Sequence, residues 1–496
     1  MPSITFDSFD KGLDLRRGSA VSDSNVLLGA LNTYIDDSKG IVTRGGLALV
    51  KSLTPGSKGL AIKNGELITF SGDAEVVHGS TSDGVVITNI RVELTADGTQ
   101  AVTAFHKSEL YQGALYVSLT YANGDTKHSY IDGVGDDNVS DVNCPHSQVF
   151  SIIKGKVYSP STDGSDTVRY SASVPGPKDW TTIEDAGFLA TASQAPGTTA
   201  VKAIDEFGGK LVVFMEDSMQ VWFADPDPAN IALERTLRNV GTNYPGSIIP
   251  VYRDLFFYSP FGFRSVGRQQ YTDNLEDIDV GTPIDLLTVP TLKAYEDSLL
   301  SIATDLDVNG IQISSSSLRE PKAIYSGTTG QYICFVGSIA FVYTFSRTAK
   351  ISAWSRYDFG DIQPDHVVAL NGKVYVRADD NIYVLDETAD KDGMSYFDWS
   401  FNLSYQSNKS PGVTKQFTGF DIVSTGTATM TNGYNSNDGS IKTYPYVVSG
   451  NTRPGSMQPM EMVSTEVSPG FTGNSADGGF RLDAITYYYE NLGALI

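Results

Sequence analysis

"LNGKVYVRADDNIYVLD", residues 370–386, reads as a glycine-bearing turn, an apolar strand, a short polar loop and a second apolar strand. Its apolar positions alternate with period two, the pattern of strands whose neighbouring side chains face opposite ways. The same phrase recurs as "IKNGELITFSGDAEVV" near Gly65, "YQGALYVSLTYANGDTKHSYI" near Gly113 and "IKGKVYSPSTDGSDTVRYS" near Gly155. "FGGKLVVFMEDSMQVWF" follows near Gly209, "YRDLFFYSPFGFRSVG" near Asp254 and "TGQYICFVGSIAFVYTFS" near Gly330. Successive starts lie 48, 42, 54, 45, 76 and 42 residues apart. Repeats in the forties, each built from short strands, describe the blades of a β-propeller. The longest gap fits one blade plus an insertion.

The expected fold is therefore all-β: a propeller of six or seven blades over residues 56–388, with an insertion at about 270–322. That insertion holds the best helical pattern, "PIDLLTVPTLKAYEDSLLSIATDL" at 283–306, where Leu292, Tyr295, Leu299 and Ile302 follow Pro290 at three- and four-residue steps. Beyond residue 389 the loops lengthen and Ser, Thr and Asn accumulate, so 389–496 reads as an added β-sandwich or platform. Residues 1–55 lie outside the blade spacing and are expected to join that platform or to close the propeller. Trp180, Trp222 and Trp354 each stand at or just beyond a hairpin's second strand, where a bulky ring fills the wedge between blades. The Pro175-Gly176-Pro177 turn before Trp180 then hands the chain to the next blade.

Bulk chemistry narrows function. The 496 residues carry a net charge of −22, which disfavours binding nucleic acid by attraction, because phosphate contacts need Lys and Arg. Cys144 and Cys334 make neither a disulfide framework nor a metal cluster and are expected to be buried free thiols. "MPSITFDSFDKG" lacks the basic and apolar regions of a secretion signal, and no apolar run is long enough to span a bilayer.

No residue is assigned a catalytic, cofactor-binding or metal-binding role, and no cofactor is expected. His78, His106, His128, His146 and His366 show no HExxH or His-x-His spacing. There is no G-x-S-x-G elbow, P-loop or dinucleotide fingerprint. "DLDVNG", Asp305 to Gly310, has the start of a calcium loop, but its twelfth position is Ser316 and a β-turn explains it better. Asp36-Asp37, Asp136-Asp137 and Asp379-Asp380 are the carboxylate pairs that a propeller glycosidase would draw on, but neighbouring turn acids point apart and are usually only solvated. Asp14-Leu15-Arg16-Arg17 reads as a salt-bridged interface rather than a phosphate site.

One further pattern runs through residues 10 to 385. "KGLDLRRGSAVSDSNVLLGALNTYIDDSKGIVTRGGLALV" at 11–50 opens Gly-Leu-Asp-Leu-Arg, places Asn32 in an apolar strand and reaches Arg-Gly-Gly after a turn. "RYSASVPGPKDWT", "GGKLVVFMEDSMQVW", "VGTNYPGSIIPVYRDLFFYSPFGFRSV" and "IDVGTPIDLL" follow. With these motifs the chain resembles the tail nozzle proteins of short-tailed bacteriophages, also called tail tubular protein B or packaged-DNA stabilisation protein. The resemblance implies a structural virion protein without catalytic residues, assembled in the bacterial host cytoplasm. It implies a homohexameric tube below a head-to-tail adaptor ring, carrying tail fibres or tailspikes. Such a tube retains packaged genomic DNA and conducts it through an acidic channel during ejection. The competing expectation is a propeller glycoside hydrolase or carbohydrate-binding propeller.

Overall fold

The computed structural model describes residues 2–53, 55–70, 78–80, 86–90, 102–131, 136–173, 176, 178–182, 185–194, 200–267, 279–308, 311–453 and 456–494. Pro175 and Pro177, on which the outer-turn reading rests, lie outside them, as do Asn309 and Gly310.

Seven sheets form the propeller. Their first strands are Lys58–Lys63, Val102–Tyr111, Ser151–Ile153, Ala203–Phe207, Ile249–Val251, Lys322–Ser326 and His366–Leu370. Each blade's inner strands neighbour those of the next, and the seventh blade's first strand returns to the first blade's, so the ring is closed. Cores fix the count independently. One apolar cluster fills each of the seven wedges between adjacent blades, and an eighth lies in the sandwich. The second strands are covered on both faces, which is why Gln331–Val336 is buried at every position rather than at alternate ones.

The recurring turn has a backbone cause. Asn64-Gly65, Gln112-Gly113, Lys154-Gly155, Gly208-Gly209 and Asn371-Gly372 each hold two successive positive φ angles, 48–59° and then 77–83°. That pair of conformations matches the twist of the flanking strands and selects glycine at the second corner. Blade 1 departs from a simple meander, because Val86–Ile90 pairs parallel with Glu66–Phe70 and His78–Ser80 is outermost. Blade 7 takes its fourth strand from the start of the chain, with Gly46–Ser52 antiparallel to Asn381–Asp386.

Trp180 packs with Tyr111, Tyr116 and Phe150 between blades 2 and 3; Trp222 lies between blades 3 and 4; Trp354 lies between blades 5 and 6. The helix runs Asp285–Leu299 and rests on the third strand of blade 5, Gly262–Ser265. It is shorter than its sequence pattern. Leu292 and Tyr295 are buried, but Leu299 and Ile302 are 67% and 64% exposed. The cause is a C-terminal cap: Ser301 adopts φ +58° and the Ile302 N–H bonds back to the Asp297 carbonyl, which ends the helix before Ile302.

The outer strand of blade 6, Ile351–Asp358, does not end its sheet. It pairs parallel with Gly12–Leu13 and Val26–Leu31, which continue through Asp398–Leu403, Ser468–Asn474, Thr427–Gly433 and Tyr446–Ser449. This ten-stranded sheet packs against a second one built from Thr33–Ile35, Ile41–Thr43, Arg481–Ala494, Val413–Thr425 and Gln458–Ser464, with Ser3–Phe6 on Arg481–Ala494. Phe401, Phe417, Phe420, Phe471, Phe480 and Tyr487 form the core between them. Residues from both chain ends therefore build the sandwich, and a shared sheet fuses it to the propeller.

Candidate functional site

The propeller's first strands line its central channel, where a propeller enzyme would gather its acids. Register shifts near Thr103 and His106 mark bulges in Val102–Tyr111, and bulges re-aim side chains. Lys107 Nζ lies 2.9 Å from Glu109 Oε1 and 3.6 Å from Asp205 Oδ2 on blade 4. The other Glu109 oxygen accepts the Ile152 N–H of blade 3 at 2.9 Å. One ion cluster thus ties three blades together. Burial opposes the Lys107 charge, but Asp205 and Glu109 outweigh it and hold the ammonium above its usual pKa. Burial raises the Glu109 carboxyl, as does the Asp205 charge, against the pull of Lys107. A lysine shared between both carboxylates cross-links the channel wall. Sequence reasoning missed this trio because Lys107 and Asp205 are far apart in the chain; the readable trace is a charged residue within each inner-strand pattern.

The histidines disperse. His128 is buried between blades 2 and 3, its Nδ1 2.9 Å from the Tyr116 hydroxyl and its Nε2 2.9 Å from the Ser147 carbonyl. Burial pushes its pKa down to about 4, so it is a neutral core residue that donates to Ser147 and accepts from Tyr116. His106 bonds Thr120 Oγ1 at 2.7 Å and is likewise lowered to about 4 by burial. His366 bridges Asp365 and the Phe105 carbonyl, and His146 Nδ1 lies 2.9 Å from the Thr126 carbonyl. Among the described residues no group of three His, Cys, Asp or Glu side chains is placed to hold a metal ion. Cys144 and Cys334 are free, buried and in separate clusters.

The acidic pairs are less idle than their sequence context implied. Asp36 accepts the Ser38 and Gly40 N–H groups at 3.1 and 3.0 Å and pairs with Arg481, tying a turn to the last strand. Asp136 and Asp137 lie on a strand, Asp136–Asn138, and not in a turn. Asp379 is an exposed corner at φ +51°, whereas Asp380 accepts the Gly56 N–H at 3.1 Å and the Ser57 hydroxyl at 3.2 Å. Asp380 therefore fastens blade 7 to the start of blade 1, and the expectation of mere solvation fails there. In the calcium-like phrase, Leu306–Val308 and Ile311–Ile313 form a hairpin, and Asp305 accepts the Ser315 N–H at 2.8 Å. Hydrogen bonds from Ser315 hold that carboxyl below its usual range. Asp14 pairs with Arg16 within one loop, at 2.9 Å to Nε.

Three of the five quoted motifs, the first and the last two, converge on the joint between blades 5 to 7 and the sandwich; the other two stay in the wedges around Trp180 and Trp222. Gly12 (φ +59°) pairs with Trp354 so closely that a Cβ would stand 2.6 Å from the Trp354 carbonyl oxygen. Trp354 stacks on Phe263 at 4.9 Å and donates its indole N–H to the Val280 carbonyl at 2.6 Å. The Leu15 N–H bonds the Pro283 carbonyl at 2.8 Å, and Arg264 grips Asp285 at 2.9 and 3.1 Å. Arg44 and Asn32 form the joint's polar centre. Arg44 meets Asp392 through both carboxylate oxygens, bonds the Asn32 side chain at 2.9 Å and the Asp358 carbonyl at 2.7 Å. Its guanidinium lies over Phe359 and Phe397, 4.4 and 4.0 Å from the ring centroids. A Cβ on Gly45 or Gly46 would come within 2.0 Å of the Asp386 or Lys391 carbonyl oxygen, so Arg-Gly-Gly is a packing requirement.

No family model and no curated protein matches the chain. Among solved structures, the WD40 β-propeller domain of Doa1 aligns at 11% identity and TM-score 0.39, covering 69% of this chain and 97% of that one. BamB from Moraxella catarrhalis aligns at 11% identity and TM-score 0.36, covering 69% and 96%. The propeller assignment stands on the strand pairing above. Among the described residues no helix is long and apolar enough to cross a membrane.

Proposed function

We propose that the chain is the wall subunit of the tail nozzle of a short-tailed bacteriophage, a structural virion protein that retains packaged DNA and conducts it during ejection. The observation that carries this reading is the convergence of three of its five motifs. Gly12-Leu13, Leu15, Asn32, Arg44-Gly45-Gly46, Phe263, Val280 and Asp285 serve the propeller–sandwich joint. A sheet running unbroken from blade 6 into the sandwich gives a stiff two-part unit, as a tube wall that resists pressure requires.

On this reading the DNA path runs between subunits, and Lys107, Glu109 and Asp205 stiffen the wall of the propeller's own channel by tying blades 2 to 4 together. Six copies at −22 each carry −132, a wall that repels the duplex and leaves it no binding minimum. At physiological salt that repulsion reaches about 8 Å, enough only for a duplex nearly filling the tube. The adaptor ring above and the fibres or tailspikes around the tube are the partners this role requires. The test is to add the purified protein to tails lacking it and average negative-stain images. A six-fold ring at the tail tip is expected; symmetry other than six-fold or three-fold in that layer overturns the reading.

A further inference from the structure

The sandwich carries a cleft of about 780 Å³ on the face of the ten-stranded sheet that turns away from its core. Phe401, Phe471 and Met430 point into the core, so their neighbours Asn402, Gly470 and Thr431 point the other way and align as one row across three paired strands. Small side chains along that row make the floor deep. One wall is the loop holding Arg16 and Arg17, with Leu286 of the helix; the other is the loop from Gly433 to Lys442.

What distinguishes this cleft is its unspent polar capacity. Arg17 and Lys442 are exposed and make no ion pair or hydrogen bond among the described residues. The Asn402 amide and the Tyr405 hydroxyl also have no hydrogen-bond partner there, although the Tyr405 residue is only 7% exposed. Burial raises the Tyr405 phenol, as do Glu466 and Asp438, so it remains a donor. Those two carboxylates are held by loop amides, Glu466 by the Ser436 N–H at 2.7 Å and Asp438 by the Ser440 N–H at 3.0 Å. Asp14, the acid lining the cleft, is held by Arg16.

We infer that this cleft docks an acidic peptide segment of a partner protein. Arg17 and Lys442 receive its carboxylates, Leu286 covers an apolar stem, and Asn402 bonds its backbone. A nucleic acid fits less well, because two free cations on a chain of charge −22 offset little of its dense phosphate charge. The inference rests on the cleft alone and is independent of the nozzle reading.

The test uses the full chain and a fluorescent polyglutamate peptide, followed by anisotropy, with polylysine and oligothymidylate of equal length as comparators. The peptide binds, more weakly at high salt. The variant R17E/K442E loses at least about tenfold in affinity while its urea midpoint stays at the wild-type value. Asn402→Ala weakens binding without changing the salt dependence, separating backbone recognition from charge. Equal peptide affinity in R17E/K442E, oligothymidylate binding as tight as the peptide, or no peptide binding at about 1 mM each overturns the proposal.

Discussion

Replacing Arg44 by methionine tests the joint at its centre. The substitution keeps an unbranched stem between Phe359 and Phe397 but removes every donor. Asp392, whose side chain is 5% exposed, is left as a buried carboxylate with only the Leu47 N–H at 2.9 Å. Breaking a buried pair by removing one partner costs about 3–5 kcal/mol. The Asp358 carbonyl loses the Arg44 donor as well, and Asn32 Oδ1 keeps only the Asp358 N–H at 2.8 Å, together costing about 1 kcal/mol, partly recovered where water enters. The expected loss is therefore about 4 kcal/mol. R44M/D392N removes the stranded charge but keeps the acceptor for Leu47, and should recover about 2 kcal/mol. The assay is urea unfolding followed by the summed fluorescence of Trp180, Trp222 and Trp354 in the blades and Trp399 in the sandwich, with Trp399→Phe in each background separating the sandwich signal from the blades. R44M within about 1 kcal/mol of wild type, or a double variant no better than the single, refutes the account of the joint.

Further outcomes follow from the same geometry. Gly45→Ala places a Cβ 2.0 Å from the Asp386 carbonyl oxygen and should cost about 2 kcal/mol or more, read as a shifted urea midpoint. Asp380→Ala should cost about 1–2 kcal/mol by freeing Gly56 and Ser57, while Asp379→Asn at the exposed corner stays within about 0.5 kcal/mol. His128, with a folded pKa of about 4, binds its proton more weakly than in the unfolded chain. Its contribution is whole above about pH 6.5 and is lost as pH falls towards 4, by at most about 3 kcal/mol. A stability–pH curve of His128→Gln that keeps the wild-type slope between those values removes this assignment. Burial raises both thiols, so Cys144 and Cys334 should resist iodoacetamide in the native protein and react fully in urea; rapid native labelling contradicts it.

The blades were legible because their signal is local. Asn371-Gly372 announces its own hairpin, and the wedge tryptophans sit beside the strands they seal. The count of seven was not local, since the closing strand Gly46–Ser52 finds its partner through pairing alone. Blade 1 blurred because its third paired strand runs parallel, which no hairpin spacing encodes. Leu299 and Ile302 kept helical spacing past a cap set by Ser301, a residue with no strong terminating signature. The Asp380 anchor and the Lys107–Glu109–Asp205 cluster were invisible for one reason. Each joins residues far apart in the chain that meet only when one blade stacks on another, and the Asp380 contact also needs the ring to close.

That closure sets a clock on synthesis. Ser52 and Asn381, which meet across the last blade, are 329 residues apart in the chain. At roughly 5–20 residues per second, the ribosome needs roughly 15–65 s between making one and making the other. Through that interval Gly46–Ser52 is a strand without a sheet, and Val26–Leu31 waits longer still for Asp398–Leu403. Blades 2 to 5 need neither and can stack as they emerge. The nascent chain is thus an open arc trailing a sticky first segment, and any neighbouring arc offers that segment an equivalent edge. Crowded ribosomes on one message should favour exchanged closing strands, so yield should depend on translation density before it depends on the stability of the finished ring.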